Sequence, residues 1–471
     1  MRTGARSRPN DSKLAAVVAG RIVGDIAELG WPVGQVVGSE ADLLARYGVS
    51  RAVFREGVRL VEHQQVASMR RGPGGGLVVA APGVGSVTDA VCIYLFYVGA
   101  EIEEVFEARL ALEVAAAELA PKQLEEANIE SLRALVQRER DGKIEDHREL
   151  HALVASISGN PALEFFVDLL NRVTMLYFPR TAGLTSKTLN ESAKAHAAIA
   201  DAILAGNEGL ASNRMRKHLQ AEAEFLRDRR PSRRRLADLR DVVGRSDKRG
   251  EETARQILLE VAAAGWPVGT LLGSEAELMD RYDISRAVLR EAVRVLEHHQ
   301  VARMRRGPGG GLFVAEPGVD ATTDAVALNV ERRGIRPEQL FEVRGAVEMA
   351  VLDRVMAHLD EAGIVRLGEA LETEQGTSRE DFGIVGHDLH GVLVGVAGNR
   401  VLELLTLVLL RLTRHHQATP ESAPNPRTDP LPSQDVIRAH RAIVAAILAR
   451  DLELARHRMR RHLDALRHWV R

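Results

Sequence analysis

Apolar residues recur at helical spacing along most of the chain, and two segments interrupt that pattern in the same way. Residues 14–29 carry apolar side chains three and four positions apart, which predicts an amphipathic helix that ends at the sequence GWPVG. The sequence GSEADLLARYGVSRAVFREGVRLVEHQQ then predicts two shorter helices separated by a tight turn. VASMRRGPGGGLVVA follows and predicts two short strands around a glycine-rich turn.

The two shorter helices have recognisable ends. Ser39 and Asp42 fit a capping box, in which a hydroxyl and a carboxylate satisfy exposed backbone N–H groups. We expect this helix to end at Tyr47 and Gly48, because glycine tolerates a left-handed turn conformation, and the next helix to begin at Ser50. Two helices joined in this way form a helix-turn-helix, whose second helix can enter the major groove of DNA.

The whole pattern occurs twice. Residues 31–80 and 266–315 are identical at 35 of 50 positions with a constant offset of 235, so Ser274 and Ser285 repeat the two helix starts. Further along, the offset grows to 239 and then to 244, which indicates insertions in the second copy. The sequence therefore contains an internal duplication.

The 471 residues are too many for one ordinary core. The patterns predict a mainly α protein with small β wings: two winged helix-turn-helix domains, each followed by an all-α bundle of six or seven helices. The expected boundaries, in chain order, are 11–82 for the first winged helix, 86–229 for the first bundle, 230–248 for an Arg-rich linker, 249–317 for the second winged helix and 321–471 for the second bundle. The linker is interpreted as a solvated connector, with non-specific phosphate contact as the alternative.

Composition narrows the class of protein. Hydrophobic residues make up 45% of the chain and aromatic residues only 4%, which favours packed helices over sheets. The single cysteine, Cys92, excludes an intramolecular disulfide, and the basic N-terminal sequence does not resemble a signal peptide. The apolar run 401–410 is far shorter than the roughly 20 residues that span a bilayer. We expect a cytoplasmic protein with no membrane span, whose net charge of −2 requires any nucleic-acid surface to be local.

Arginines cluster where a helix-turn-helix would meet DNA. Arg51 and Arg55 lie four residues apart at the start of the second helix, as do Arg286 and Arg290, so each pair projects from one helix face. Further arginines flank the glycine-rich turn of each wing, at Arg70, Arg71, Arg305 and Arg306. Arginine can bind guanine or phosphate with two hydrogen bonds. The alternative is a solvated Arg–Glu face.

At these residues the sequence resembles the winged-helix transcription regulators of the GntR family. The matching stretches are SEADLLARYGVSRAVFREGVRLVEHQQVASMRRGPGGGLVV and SEAELMDRYDISRAVLREAVRVLEHHQVARMRRGPGGGLFV. The resemblance implies base or phosphate contacts by Ser50, Arg51, Val53, Arg55, Ser285, Arg286, Val288 and Arg290, and by the wing glycines Gly72, Gly74, Gly307 and Gly309. Ala41 and Ala276 stand where many members have a DNA-contacting arginine, so the chain departs from the family pattern at this position of each copy.

The helical remainder of each copy resembles the effector-binding domain of the FadR-type branch of that family. The resemblance implies a small carboxylate effector beside a divalent metal held by one Asp and three His. The matching positions are His147, in place of the Asp, with His151, His196 and His218 in the first copy, and His390, His440 and His462 in the second. Gly386 takes the Asp position of the second copy, where His387 is a poorly angled substitute.

Imidazole ligands favour Zn, Ni or Fe, and no organic cofactor is indicated. The alternative is a bundle that has lost its metal. Arg109 and Arg344 match the position whose guanidinium pairs with an effector carboxylate, the alternative being an ordinary helical pair with Glu113 and Glu348, four residues on.

Together these features predict a regulator that binds operator DNA. Because both copies carry the same reading residues, one chain is expected to act as a pseudo-dimer on a short near-palindrome, either alone or as a dimer of such chains. A metal-dependent enzyme is disfavoured, since the sequence has no HExxH motif, nucleophile elbow or Walker-type loop. An architectural DNA-binding protein without an effector is disfavoured because the helical domains are larger than a spacer requires.

Overall fold

A computed structural model describes residues 9–63, 66–70, 72, 74–81, 84–142, 148–175, 186–228, 249–305, 307–376, 388–417 and 432–469. Over these ranges the chain is mostly helical, with two small antiparallel sheets. The predicted mainly α fold with β wings is confirmed. Within the described residues, no helix is both long and apolar enough to cross a membrane.

The first winged helix combines three helices with a three-stranded sheet. Its elements are α1 (Pro9–Glu28), β1 (Val36–Gly38), α2 (Glu40–Tyr47), α3 (Arg51–His63), β2 (Ala67–Arg70) and β3 (Gly76–Val79). The strands run in the order β1-β3-β2, with Met69 opposite Leu77. Ile22, Phe54 and Leu77 lie in the core between helices and sheet.

The second winged helix repeats this architecture. Its elements are α11 (Arg249–Ala263), β4 (Leu271–Gly273), α12 (Glu275–Arg281), α13 (Arg286–His298), β5 (Ala302–Arg305) and β6 (Gly311–Val314). The order β4-β6-β5 and the pairing of Met304 with Leu312 match the first copy. The sequence predicted only the two wing strands. The third, β1 or β4, is three residues long and too short to show alternation.

The predicted helix ends are confirmed. Ser39 Oγ accepts a hydrogen bond from the Asp42 backbone N–H, and the Asp42 carboxylate accepts one from the Ser39 N–H. Ser274 and Glu277 make the same reciprocal pair. Gly48 closes α2 with φ at 63°, a left-handed conformation that glycine adopts without steric cost.

Each winged helix is followed by a helical bundle that shows seven α-helices within the described residues. The first consists of α4 (Val84–Val98), α5 (Ile102–Leu119), α6 (Glu126–Arg140), α7 (Glu149–Ile157), α8 (Pro161–Thr174), α9 (Ser186–Leu204) and α10 (Glu208–Asp228). The second consists of α14 (Val319–Glu331), α15 (Pro337–His358), α16 (Glu361–Gly376), α17 (Asp388–Ala397), α18 (Arg400–Gln417), α19 (Pro432–Leu448) and α20 (Leu452–Trp469). In both bundles the long second helix, α5 or α15, packs against the last helix.

The two bundles contact each other through reciprocal asparagines. Asn160, which caps α8, donates from Nδ2 to Glu342 Oε2 at 2.7 Å. Asn399, which caps α18, donates from Nδ2 to Glu107 Oε2, also at 2.7 Å. Because Glu107 and Glu342 are equivalent positions of the two copies, these contacts are related by an approximate two-fold axis.

Each winged helix also contacts the first helix of the opposite bundle. The Trp266 ring lies 5.6 Å from the ring of Tyr97 on α4, measured between centroids. The Trp31 ring lies 5.4 Å from the guanidinium carbon of Arg332, just beyond the C-terminal end of α14. Arg332 also donates to the backbone carbonyl of Ala80. Tyr97 and Arg332 are equivalent positions at the 235-residue offset. Each winged helix therefore packs against the bundle of the other copy.

Candidate metal centres and DNA-binding surfaces

Three helices of the first bundle bring three histidines together. His151 on α7, His196 on α9 and His218 on α10 are buried, and their candidate ligand nitrogens all lie within 4.8 Å of one another. His218 Nε2 is 3.1 Å from His196 Nε2 and 3.3 Å from His151 Nε2. The three Nε2 atoms therefore converge on one point.

The second bundle reproduces this cluster. His390 on α17, His440 on α19 and His462 on α20 are buried and converge in the same way. His462 Nε2 lies 3.1 Å from His440 Nε2 and 3.3 Å from His390 Nε2. Ligand nitrogens about 2.1 Å from one ion and separated by about 90 to 110° would be roughly 3.0 to 3.4 Å apart, so this spacing suits a metal.

Buried carboxylates fix the orientation of two imidazoles in each cluster. His196 Nδ1 lies 2.6 Å from Glu139 Oε1, and His151 Nδ1 contacts Glu113 Oε2. A carboxylate at Nδ1 favours a proton there, which leaves the Nε2 lone pair directed at the cluster centre.

The same arrangement holds in the second cluster. His390 Nδ1 lies 2.6 Å from Glu348 Oε2, and His440 Nδ1 lies 2.8 Å from Glu374 Oε1. Sequence reasoning missed the role of these carboxylates. The signal was available, since Glu139 and Glu374 are identical residues at the 235-residue offset.

Burial keeps several of these histidines neutral. It lowers the pKa of His218 to about 3 and that of His390 to about 4, and it lowers the pKa of His462 well below its usual range. Burial alone would raise the pKa of Glu113, but the charge of Arg109 and the contact with His151 Nδ1 outweigh it and lower that pKa to about 2. Neutral imidazole is the form that binds a metal.

Arg109 and Arg344 lie behind the histidines, almost fully buried. Arg109 Nε donates to Glu113 Oε1 at 2.6 Å, and Arg344 Nε donates to Glu348 Oε1 at 2.9 Å. The helical pair considered from the sequence is thus formed in both copies. Each glutamate also contacts a histidine, so guanidinium, carboxylate and imidazole form one chain of contacts.

The outer nitrogens of the two guanidinium groups differ. Arg109 Nη1 lies 3.4 Å from Glu222 Oε2, on the turn of α10 that follows His218. Within the described part of the chain, Arg344 Nη1 and Nη2 have no hydrogen-bond partner, although the residue is only 1% exposed. Sequence reasoning also missed Glu222, which has no acidic counterpart in the second copy.

The second helix of each helix-turn-helix presents its arginines to solvent. Arg51, Arg55, Arg286 and Arg290 are all exposed at the start of α3 or α13. Arg55 Nε lies 3.0 Å from Glu40 Oε1, and Arg286 Nε lies 3.2 Å from Glu275 Oε1, across the turn. These ion pairs hold the arginines at the helix start without burying them.

Other predicted DNA contacts fall in different environments. Ser50 and Ser285 accept hydrogen bonds from the backbone N–H groups of Val53 and Val288, so their hydroxyls serve the helix start. Val53 is 5% exposed and packs in the winged-helix core. Its burial suits a packing role rather than contact with DNA, whereas its counterpart in the second copy is half-buried.

The wing turns place predicted residues at the surface. Arg70 and Arg305 are exposed at the ends of β2 and β5. The turn glycines Gly72, Gly74, Gly307 and Gly309 have φ values between 71° and 106°, which other residues rarely adopt. Four positions named in the sequence analysis, Arg71, His147, Arg306 and His387, lie outside the described residues, as do Gly386 and the linker 230–248.

The chain matches one family model at two places. The FCD domain model matches residues 104–221 and residues 339–465, slightly more than half of the chain. The two matched segments correspond to the two helical bundles, and each contains one whole histidine cluster.

Two curated relatives are regulators. The chain is 26% identical over 234 residues to an uncharacterized HTH-type transcriptional regulator, YcbG, of Bacillus subtilis strain 168, which covers 49% of this chain and 94% of that protein. It is 24% identical over 205 residues to the Uxu operon transcriptional regulator of Escherichia coli K12, which covers 42% of this chain and 76% of that protein. Half of this chain therefore corresponds to nearly all of the first relative.

Solved structures match over similar lengths. A Streptococcus agalactiae GntR is 22% identical and covers 45% of this chain and 99% of its own, with a TM-score of 0.34. McbR/YncC of E. coli is 16% identical and covers 46% of this chain and 97% of its own, with a TM-score of 0.24.

Proposed function

Since this chain belongs to the FCD-domain family of GntR-type transcription regulators, we propose that it reads a short near-palindromic operator as a single-chain pseudo-dimer. The protein is a transcription regulator and not an enzyme. We further propose that a small carboxylate effector and a divalent metal in the helical bundles tune its affinity for DNA.

The observation that carries the pseudo-dimer proposal is the repetition of the reading surface in one chain. Arg51 and Arg286 occupy the same place at the start of equivalent helices and contact equivalent glutamates. The reciprocal asparagine contacts relate the bundles by an approximate two-fold axis. Two-fold symmetry in a protein matches two-fold symmetry in a palindromic operator.

The proposal of a metal rests on the donor set of each cluster. With Nδ1 of His151 and His196 directed at carboxylates, both Nε2 lone pairs face the centre. His218 Nε2 lies 3.1 Å from His196 Nε2 and 3.3 Å from His151 Nε2, so the three nitrogens meet at one point. A cation at the centre would satisfy all three nitrogens, and imidazole ligands suit Zn, Ni or Fe.

In this proposal the metal would be held by His151, His196 and His218 in the first bundle. The matching residues of the second bundle are His390, His440 and His462. The bound ion would supply positive charge for an effector carboxylate. The chain's own residues orient the ligands and exclude solvent.

Selection of genomic DNA fragments by the purified full-length chain tests whether one chain binds a near-palindromic operator. We expect enrichment of a near-palindrome, and native mass spectrometry should show one chain on the shortest bound fragment. A strongly asymmetric site, or a need for two chains on that fragment, would contradict the pseudo-dimer.

Elemental analysis of the same preparation tests the metal. Protein purified without chelator should carry Zn, Ni or Fe, and His196→Ala and His440→Ala should each remove the metal of one bundle. Absence of metal from the unchelated wild-type protein would refute this part of the proposal.

A further inference from the structure

The two bundles differ at one position that faces a buried arginine. In the first bundle Glu222 follows His218 by four residues and places a carboxylate 3.4 Å from Arg109 Nη1. The residue four positions after His462 in the second bundle is Leu466, which is buried and cannot pair with a cation. Both arginines make the same contact with the glutamate four residues on.

The charges of the two sites follow from this difference. Near the first histidine cluster lie the carboxylates of Glu113, Glu139 and Glu222 and the guanidinium of Arg109. The corresponding groups near the second are the carboxylates of Glu348 and Glu374 and the guanidinium of Arg344. The second site therefore has one carboxylate fewer, at the place where the first has Glu222.

The missing carboxylate leaves donors unsatisfied. Arg344 is 1% exposed, and among the described residues its Nη1 and Nη2 atoms lack partners. A buried donor without an acceptor loses its hydration and gains nothing in return, so such groups are rare unless a ligand completes them. Two N–H groups on one guanidinium fit the two oxygens of a carboxylate.

We propose that only the second bundle binds an external small carboxylate, at Arg344 beside His390 and His462, and that Glu222 occupies the equivalent position of the first bundle from within the chain. This inference rests on the proposed effector function and restricts it to one of the two copies. The first bundle then always has a carboxylate, that of Glu222, at its buried arginine. One effector molecule per chain therefore determines the change in DNA affinity.

Replacing Glu222 by the leucine of the second copy, and Leu466 by the glutamate of the first copy, tests the proposal. Full-length wild type, Glu222→Leu and Leu466→Glu are titrated with formate, acetate, lactate, malonate and citrate, and bound ligand is counted by native mass spectrometry. Wild type should bind one carboxylate per chain, Leu466→Glu none, and Glu222→Leu two. Two ligands on the wild type, or unchanged binding in Leu466→Glu, would overturn the proposal.

Thermal unfolding without ligand gives a second readout that does not depend on the choice of carboxylate. Leu466→Glu should unfold at a higher temperature than its matched neutral control Leu466→Gln, because the new carboxylate pairs with Arg344. Glu222→Gln should unfold at a lower temperature than wild type. If Leu466→Glu is no more stable than Leu466→Gln, Arg344 already has an acceptor and the proposal fails.

DNA binding separates this inference from the function on which it rests. All four variants should still select the operator in the absence of carboxylate, since none of the substituted residues lies in a winged helix, but Leu466→Glu should show the operator affinity of the effector-bound wild type. If both bundles of the wild type bind carboxylate equally and DNA binding is intact, this inference is refuted but the proposed function is not. Failure of the wild type to select any DNA would refute the proposed function.

Discussion

At the level of single residues, Glu139 and Glu374 each contact one histidine of a cluster without being a candidate metal ligand themselves. Each is buried and holds Nδ1 of a histidine whose Nε2 faces the centre. Carboxylates in this position orient the imidazole and increase its basicity as a ligand. Their contribution should therefore be measurable as metal affinity rather than as DNA contact.

We expect Glu139→Gln and Glu374→Gln each to weaken metal binding in its own bundle by about 10- to 100-fold, the usual cost of losing such a partner. The amide keeps the shape of the side chain but removes its charge. Competition with a chromophoric chelator measures the affinity. Glu118→Gln, on the exposed face of α5, serves as the control and should leave the affinity unchanged.

Cys92 lies on α4, the first helix of the first bundle. It is buried in the first bundle, and burial raises the pKa of its thiol well above the usual value. Because the thiolate is the reactive form, the native protein should react with a thiol reagent very slowly at neutral pH and rapidly after unfolding. The chain has one cysteine, so the reaction reports one site. Rapid labelling of native protein would show that α4 opens under native conditions.

The histidines were predictable from the sequence, but the groups that complete their sites were not. His196 and His218 keep the same separation as His440 and His462, and this repeated spacing survives in the sequence. Glu222 lacks such a signal, since its counterpart is Leu466. A residue that acts in one copy only cannot be found from the duplication, and its contact with Arg109 depends on the packing of α10 against α5.

At the scale of elements, the helix-turn-helix was predictable because its ends depend on local chemistry. The capping boxes at Ser39 and Ser274 and the left-handed Gly48 satisfy backbone groups within a few residues. Strands β1 and β4 were not predictable, because each is three residues long and is defined by pairing with β3 or β6, some 40 residues away in the chain. Long-range pairing leaves little trace in so short a segment.

Arg51 and Arg286 begin α3 and α13, the second helices of the two helix-turn-helix motifs. Arg51→Ala and Arg286→Ala should each weaken specific operator binding by roughly 1 to 3 kcal/mol, the range for a good base contact, and by similar amounts. Gel-shift titration at fixed salt concentration measures the effect. Arg59→Ala, two turns further along α3, is the matched control, since Arg59 is also exposed and pairs with Glu56. A silent Arg286→Ala would show that the second winged helix does not read DNA.

At the scale of the whole molecule, the duplication was evident in the sequence but the arrangement of the copies was not. The contacts of Trp266 with Tyr97 and of Trp31 with Arg332 connect each winged helix to the opposite bundle. No periodicity or motif specifies such an exchange, because either bundle could offer an equivalent first helix. A structural change in one bundle would therefore occur next to the winged helix of the other copy.

The asparagine contacts between the bundles should set the spacing of the two winged helices. Asn160→Asp and Asn399→Asp keep the acceptor oxygen that caps α8 or α18, but they replace the amide donor with a carboxylate facing Glu342 or Glu107, and like charges repel. We expect the double variant to lose affinity for the full near-palindrome while its affinity for an isolated half-site stays unchanged. Gel shifts on both DNA fragments measure the ratio of the affinity for the near-palindrome to the affinity for the half-site.

Asn207→Asp is the matched control, because Asn207 caps α10 at an exposed position. Equal losses on both fragments would mean that the bundles position each winged helix independently, and a loss in Asn207→Asp would trace the effect to helix capping instead of the interface.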